Sequence, residues 1–167
     1  SRTGIRKDKL FHNHMTIEVI LPYFDMKSPS FKKLVTEFRI KMFEEVAKSE
    51  LDGLIFTYVW KLDSSNDTYF INTIVNIFER AQATVCYVEL EASAEERLKR
   101  NISPNRLRYK PSKIDFDASE KELLETDREH ILNSDEDEFR NKNHLKINNT
   151  ELNAERVAEI IKERFGL

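Results

Sequence analysis

The hydrophobic pattern changes period along the chain. Phe31, Leu34, Val35, Phe38, Met42 and Val46 recur at helical spacing, with Lys32, Lys33, Glu37, Lys41, Glu44 and Glu45 mostly on the outer side. Ser28-Pro29 precedes them, a hydroxyl cap followed by the residue best suited to a first helical turn. The spacing predicts a helix over Phe31 to Lys48. Asp52-Gly53 ends it. Leu54 to Trp60 is then almost continuously apolar or aromatic, which predicts a strand buried on both faces. Tyr69 to Ala81 returns to the helical period, and Thr84 to Leu90 reads as another buried strand. Ser93-Ala-Glu-Glu96 is a capping-box pattern that opens a short helix through Arg100.

The remaining segments are weaker in pattern. Lys9 to Asn13 predicts a short strand, and Met15 to Phe24 a helix disturbed by Pro22. Residues 101–117 show no period and predict a mobile basic loop. Asp117-Ala-Ser-Glu120 is expected to cap a helix reaching about His130, with Asn133 to Lys142 polar and acidic after it. Leu145 to Ile147 predicts a last strand. Asn153 then caps a helix whose stripe is Ala154, Val157, Ala158, Ile161 and Phe165, with Gly166 as its stop.

Strands separated by helices pair in parallel through right-handed crossovers. The expected fold is α/β: a single domain over 1–167, built as a three-layer α/β/α sandwich on a mainly parallel sheet. Ligands of such sheets sit beyond the carboxyl ends of the strands. That rule points to His12 to His14, Trp60 to Asp63, Glu91 to Ser93 and Asn148 to Thr150.

Composition narrows the chemistry. The 27 basic residues against 30 acidic ones give a net charge of −3, so no global basic field argues for nucleic acid. A lone Cys86 excludes an internal disulfide and a cysteine-cluster zinc site, and its place in a strand predicts a buried, inert thiol. No run of 18 apolar residues offers a membrane span, and the basic start has no apolar stretch behind it, so a soluble cytoplasmic protein is the expectation. The only glycines are Gly4, Gly53 and Gly166. Neither a GxxxxGK[ST] phosphate loop nor a GxGxxG fingerprint exists within these residues.

Three constellations carry candidate chemistry. His12-Asn13-His14 ends the first strand. In extended chain the two imidazoles point to opposite faces, which makes them a poor metal pair. The turn reads either as a substrate contact or as a polar strand end with one half-buried histidine; its three letters alone do not make a nuclease motif. The second is the cationic stretch Arg97, Lys99, Arg100, Arg106, Arg108, Lys110 and Lys113. Arginines on a mobile loop suit the clamping of phosphates, and the alternative is a solvated charged loop. The third is Asn148-Asn149-Thr150, residue types that turns favour for their own sake. The acidic groups Asp115/Asp117 and Asp135/Glu136/Asp137 read as exposed loop charges, and no metal ligand set is assigned. Tyr58 and Trp60 read as packing.

Several strings together resemble a known family. Lys9 to Thr16 reads Lys-Leu-Phe-His-Asn-His-Met-Thr, Gly53 to Thr57 reads Gly-Leu-Ile-Phe-Thr, and Val85 to Leu90 and Arg97 to Arg100 follow the same order. Over residues 9–165 the chain resembles small P-loop kinase-like proteins of the shikimate, gluconate and nucleoside kinase superfamily. It is most similar to the shikimate-kinase-like group of bacterial AAA-family ATPases. The resemblance implies ATP with Mg²⁺ and a small-molecule phosphoryl acceptor. It implies that the basic loop is a lid, with Arg100 and Arg106 as catalytic phosphate contacts and Arg108 and Lys110 beside them. It places the acceptor at His12, Asn13 and His14, and adenine near Asn148, Asn149 and Thr150. It also implies a strand, a phosphate loop and a helix that these residues lack, so a further N-terminal segment is expected in the natural protein. A missing central strand would leave two unpaired ladders. A non-catalytic nucleotide-binding or protein-interaction module on a degenerate kinase fold is the alternative expectation.

Overall fold

The computed structural model describes residues 8–135, 139 and 143–167. In chain order the elements are β1 (Asp8–His12), α1 (His14–Ile20), α2 (Pro29–Lys48), β2 (Gly53–Thr57), α3 (Ser65–Arg80), β3 (Tyr87–Glu91), α4 (Ala94–Asn101) and α5 (Pro104–Tyr109). A 3-10 turn (Pro111–Lys113), α6 (Phe116–Glu129), β4 (His144–Asn148) and α7 (Ala154–Phe165) complete the order. The fold is mixed α/β and its described strands pair in parallel, β1 with β2 and β3 with β4. They form two separate two-stranded sheets among the described residues, rather than one continuous sheet.

Aromatic packing holds the first sheet to its helices. Phe43 of α2 is fully buried, and its ring lies 5.6 Å from Phe11 of β1, 5.0 Å from Phe56 of β2 and 6.1 Å from Phe78 of α3. Ile74 of α3 completes this core. The buried row of α2 is Phe31, Val35, Arg39 and Phe43, spaced four apart. Leu34, Phe38 and Met42, which the sequence pattern put on the core stripe, are exposed instead. The i+4 row won because its aromatic end meets Phe11 and Phe56, one cross-strand pair of the sheet.

The other face of the β1–β2 pair is open among the described residues. Leu10 and Ile55 oppose one another in register and are 51% and 57% exposed. The expectation of a strand buried on both faces is therefore corrected for β2, none of whose residues is fully buried. β3 departs in the same way, with Tyr87, Glu89 and Glu91 half-buried on one face and Val88 and Leu90 exposed on the other. Helices cover one face of β1–β2, so a complete three-layer sandwich is not what these elements make.

Local chemistry explains where elements begin and end. β2 stops at Thr57 because the aromatic residues beyond it bind elsewhere. The Tyr58 hydroxyl donates to Asp67 at 3.3 Å, and the Trp60 indole donates to Thr68 at 3.3 Å while its ring meets Tyr87 and Phe139. Both aromatics pack, as their sequence context suggests. Cys86 lies one residue before β3 and is exposed, correcting the buried mid-strand reading. Asp115, not Asp117, caps α6 by accepting from the Ala118 amide at 3.0 Å. Gly166 takes φ +69°, the left-handed conformation glycine adopts freely, and its amide closes α7 on Lys162.

The segment 101–117 carries helix rather than loop. Ser103 accepts from the Arg106 amide and Pro104 opens α5, the same Ser-Pro device that opens α2. Pro111 begins the 3-10 turn. Residues 1–7, Glu136 and Asp137 of the expected acidic loop lie outside the described residues.

Replacing Phe43 by Ala removes the ring that joins both strands to both helices, and should cost about 3–5 kcal/mol. Phe38→Ala, at an exposed position, should cost well under half of that. Urea denaturation of both variants checks the rotation of α2.

Candidate active site

β1 runs into α1 through a one-residue turn. Asn13 takes the N-cap position in helical conformation, and its carbonyl is the meeting point of a buried cluster. The Arg39 Nη2 donates to that carbonyl at 2.8 Å, and the Thr16 hydroxyl donates to it at 2.9 Å. Arg39 Nε in turn donates to Thr16 Oγ1 at 2.9 Å. Arg39 is 7% exposed and, among the described residues, makes no ion pair with a carboxylate. Burial lowers its pKa, partly offset by the nearby Tyr58. Tyr58 itself is pushed up to about 12 by burial and by Asp67, so it stays a neutral donor.

Arg39 escapes the candidate list that sequence motifs supply. The signal for it is positional: a cation four residues from Val35 and four from Phe43, on the apolar row of α2. A charge at such a position needs either partners or a ligand.

The second layer of the site comes from the distant segment 104–113. The Tyr109 ring sits edge-on to the His12 ring, 5.6 Å between centroids. Ser112 docks on Glu18 of α1: its amide donates to Oε2 at 3.2 Å and its hydroxyl to Oε1 at 2.6 Å. Glu18 also meets His14 Nδ1 at 3.2 Å. Lys113 pairs with Glu122 of α6. Arg106 donates to the carbonyl and side-chain oxygen of Asn101 and reaches Ser119 at 3.5 Å, all of them neutral groups.

The electrostatics of this layer are one-sided. Burial lowers the Lys110 pKa, and Arg106 and Lys113 add repulsion in the same direction. His12 is lowered by burial and then by Lys110, and its Nδ1 is buried with no hydrogen-bond partner. His14 is lowered to about 4 by burial, with Lys110 and Lys113 assisting and the Glu18 contact opposing. Both imidazoles are therefore neutral near pH 7. Among the described residues no acidic side chain bonds to Arg106 or Lys110, and Glu122 partly opposes the lowering of both.

The structure thus gathers His12, Asn13, His14 and Lys110, adds Arg39, Glu18 and Ser112 to them, and sets Arg106 near Lys110 but bonded to Asn101. The two histidines do not flank one extended strand, because β1 ends at His12 and His14 is already helical. Arg108 is exposed, with its guanidinium 5.8 Å from the Tyr109 ring centre. Arg100 belongs to a different corner, at the carboxyl ends of β3 and β4. It donates to Glu96 at 2.7 Å, to the Asn149 side chain at 3.1 Å and to the Asn149 carbonyl at 2.8 Å. Thr150 receives the Ser93 amide at 3.0 Å, and the Thr150 amide donates to Asn148 at 3.1 Å. Arg100 and Asn148 to Thr150, separate strings in the sequence, form one hydrogen-bonded unit. Arg106 bonds to Asn101, the residue after Arg100, which links the two corners through α4.

The described residues include no cluster of three or more His, Cys, Asp or Glu side chains arranged for a metal ion. No helix among them is long and apolar enough to cross a membrane. No family model, curated protein or solved structure matches the chain.

The depressed His14 pKa sets a pH dependence of stability. A histidine lowered to about 4 contributes fully above its unfolded value of 6.5, and that contribution is lost as pH falls from 6.5 towards 4. His14→Gln should flatten the stability curve between pH 6.5 and about 4.5, read from urea midpoints across that window. An unchanged slope would mean His14 is solvated.

Proposed function

We propose that the chain belongs to a P-loop kinase-like phosphotransferase that moves a phosphoryl group from ATP to a small-molecule acceptor. The observation that carries this reading is the pair of half-buried cations Arg106 and Lys110: among the described residues no acidic side chain bonds to either, Glu122 only partly offsets them, and Lys110 lies near the turn that ends a parallel strand. Burying positive charge costs free energy unless an anion offsets it. Phosphate oxygens are the anions that arginine forks and lysine point charges accommodate best.

In this reading Arg106 and Lys110 neutralise the phosphoryl group in flight, as positioning and charge stabilisation dominate such transfers. The acceptor oxygen attacks the γ-phosphorus, the bond to the bridging oxygen breaks, and ADP leaves. A neutral His12 takes the acceptor proton. Arg39, buried beneath the same turn without a carboxylate, favours an acceptor that carries an anionic group. Arg100 holds Asn149 and Thr150 as a wall for the nucleotide base. The phosphate loop that the resemblance implies is not among these residues, since their three glycines cannot form it. Its amides would have to be contributed from elsewhere in the protein. No metal ligand set is assigned to these side chains, and Mg²⁺ would arrive with the nucleotide. A cytoplasmic location accompanies this reading.

One observation favours a second reading, a nucleotide-binding or interaction module without turnover. The open apolar face at Leu10 and Ile55 is the kind of surface that docks another polypeptide.

Titration of the protein from its natural source with Mg-ATP separates the two from a chain that binds no nucleotide. Binding is expected to weaken about tenfold, near 1.4 kcal/mol, in each of Arg106→Ala and Lys110→Ala. Arg100→Ala should weaken it too, by freeing Asn149 and Thr150. Binding with slow hydrolysis supports transfer, binding with none supports a nucleotide-binding module, and absent binding removes both and leaves only a protein-interaction module.

A further inference from the structure

We infer that Glu18 is a positioning residue whose carboxylate seats the 110–113 strap, and Lys110 with it, against the His12 to His14 turn. The strap crosses back over α1 at a sequence separation of 94, and Glu18 is where it lands. Two donors of one residue, the Ser112 amide and hydroxyl, converge on this carboxylate, the hydroxyl at 2.6 Å. His14 Nδ1 meets the same Oε1 as the Ser112 hydroxyl, at 3.2 Å. Hydrogen bonds to an ionised acceptor are about twice as strong as neutral ones.

The charges of the strap do not explain its seating. Lys110 faces Arg106 and Lys113, both repulsive, lies near two neutral imidazoles, and is drawn only towards Glu122, which is on α6 and not on α1. Lys113 is tied to Glu122, which anchors the strap to α6 rather than to α1. Lys113 is 12% exposed and Glu122 58%, so this pair fixes the Lys113 end of the strap to α6 and leaves its seating on α1 to other contacts. Tyr109 offers His12 a ring edge and no hydrogen bond. Glu18 is thus the acid that holds a repelled cation in place, and it does so through Ser112 without touching Lys110. A strap loaded in this way is relieved by an anion beside Lys110, so its seating and anion occupancy should reinforce each other. That last step rests on the phosphotransfer reading; the seating by Glu18 does not.

Two measurements test this, using the protein from its source and inorganic pyrophosphate as the probe. Hydrogen exchange at the Lys110, Ser112 and Lys113 amides reads the seating. Glu18→Ala and Ser112→Ala should exchange there at least tenfold faster than wild type, with α6 amides unchanged, and Glu18→Gln should restore most of the protection. Lys110→Ala should keep or improve protection while losing pyrophosphate affinity. A loosened strap in Glu18→Ala should also weaken pyrophosphate about tenfold. Wild-type exchange rates at 110–113 in both Glu18→Ala and Ser112→Ala would overturn the assignment. If wild type binds no pyrophosphate, the phosphotransfer reading fails, and the exchange rates still decide the role of Glu18. Should Glu18→Ala not fold, Ser112→Ala and Glu18→Gln carry the same comparison.

Discussion

A guanidinium buried without a counter-charge is the constraint around which the first half of the molecule is arranged. Arg39 lies on the same row of α2 as Phe43, so the rotation that drives Phe43 into the aromatic core also drives Arg39 under the β1–α1 turn. The apolar contacts of Phe43 decide that rotation, since a buried aromatic ring outweighs the cost of partly desolvating one flexible cation. Once placed, the guanidinium takes the Asn13 carbonyl and the Thr16 hydroxyl. Those bonds fix the turn that points His12 and His14. Core packing and site geometry are therefore one arrangement: what repacks around Phe43 also displaces the turn.

The charge distribution runs against the composition. A chain of net charge −3 sets Arg39, Lys110 and Lys113 around one strand end, with Arg106 near Lys110. Among the described residues, only Lys113 of these four is paired with a carboxylate, on α6. The acids nearby are committed elsewhere, Glu18 to Ser112 and His14, and Glu122 to Lys113. At the other corner Arg100 is different in kind. Its donors end on Glu96, Asn149 and Thr150, so its charge is offset inside the fold. The sequence presents Arg100 and Arg106 as equivalent members of one basic stretch. Their partners separate them: Arg100 shapes a loop, and Arg106 is left with neutral acceptors.

Much of the secondary structure was legible because it depends on local chemistry. The capping serines at 28 and 93, the Asn153 cap and the Gly166 stop each act where their residue type suggests. Ser103-Pro104 carries the same signal, yet the absence of an apolar period hid α5 behind it. Burial was less legible, because it depends on what covers a strand rather than on the strand. The runs around Ile55 and Val88 have the composition of two-sided burial, and the described residues cover one side. The turn at His12 to His14 was visible as residue types. Arg39 and Glu18 were not, since their roles come from partners 26 and 94 positions away in sequence.

Two kinds of incompleteness remain in the described residues, and they call for different things. The open apolar face at Leu10 and Ile55 asks for area, which any well-shaped polypeptide surface supplies without regard to direction. The cations at Arg106 and Lys110 ask for an anion at a particular place, because charge in a desolvated setting is offset only at short range. A docking module needs the first and gains nothing from the second, which would weaken its fold without return. A phosphoryl-transfer site accounts for the second directly. It also accounts for the first, because parallel strands of this composition belong inside a sheet covered on both faces. The desolvated cations therefore favour an anion-binding site over a pure docking surface, and turnover alone separates transfer from nucleotide binding.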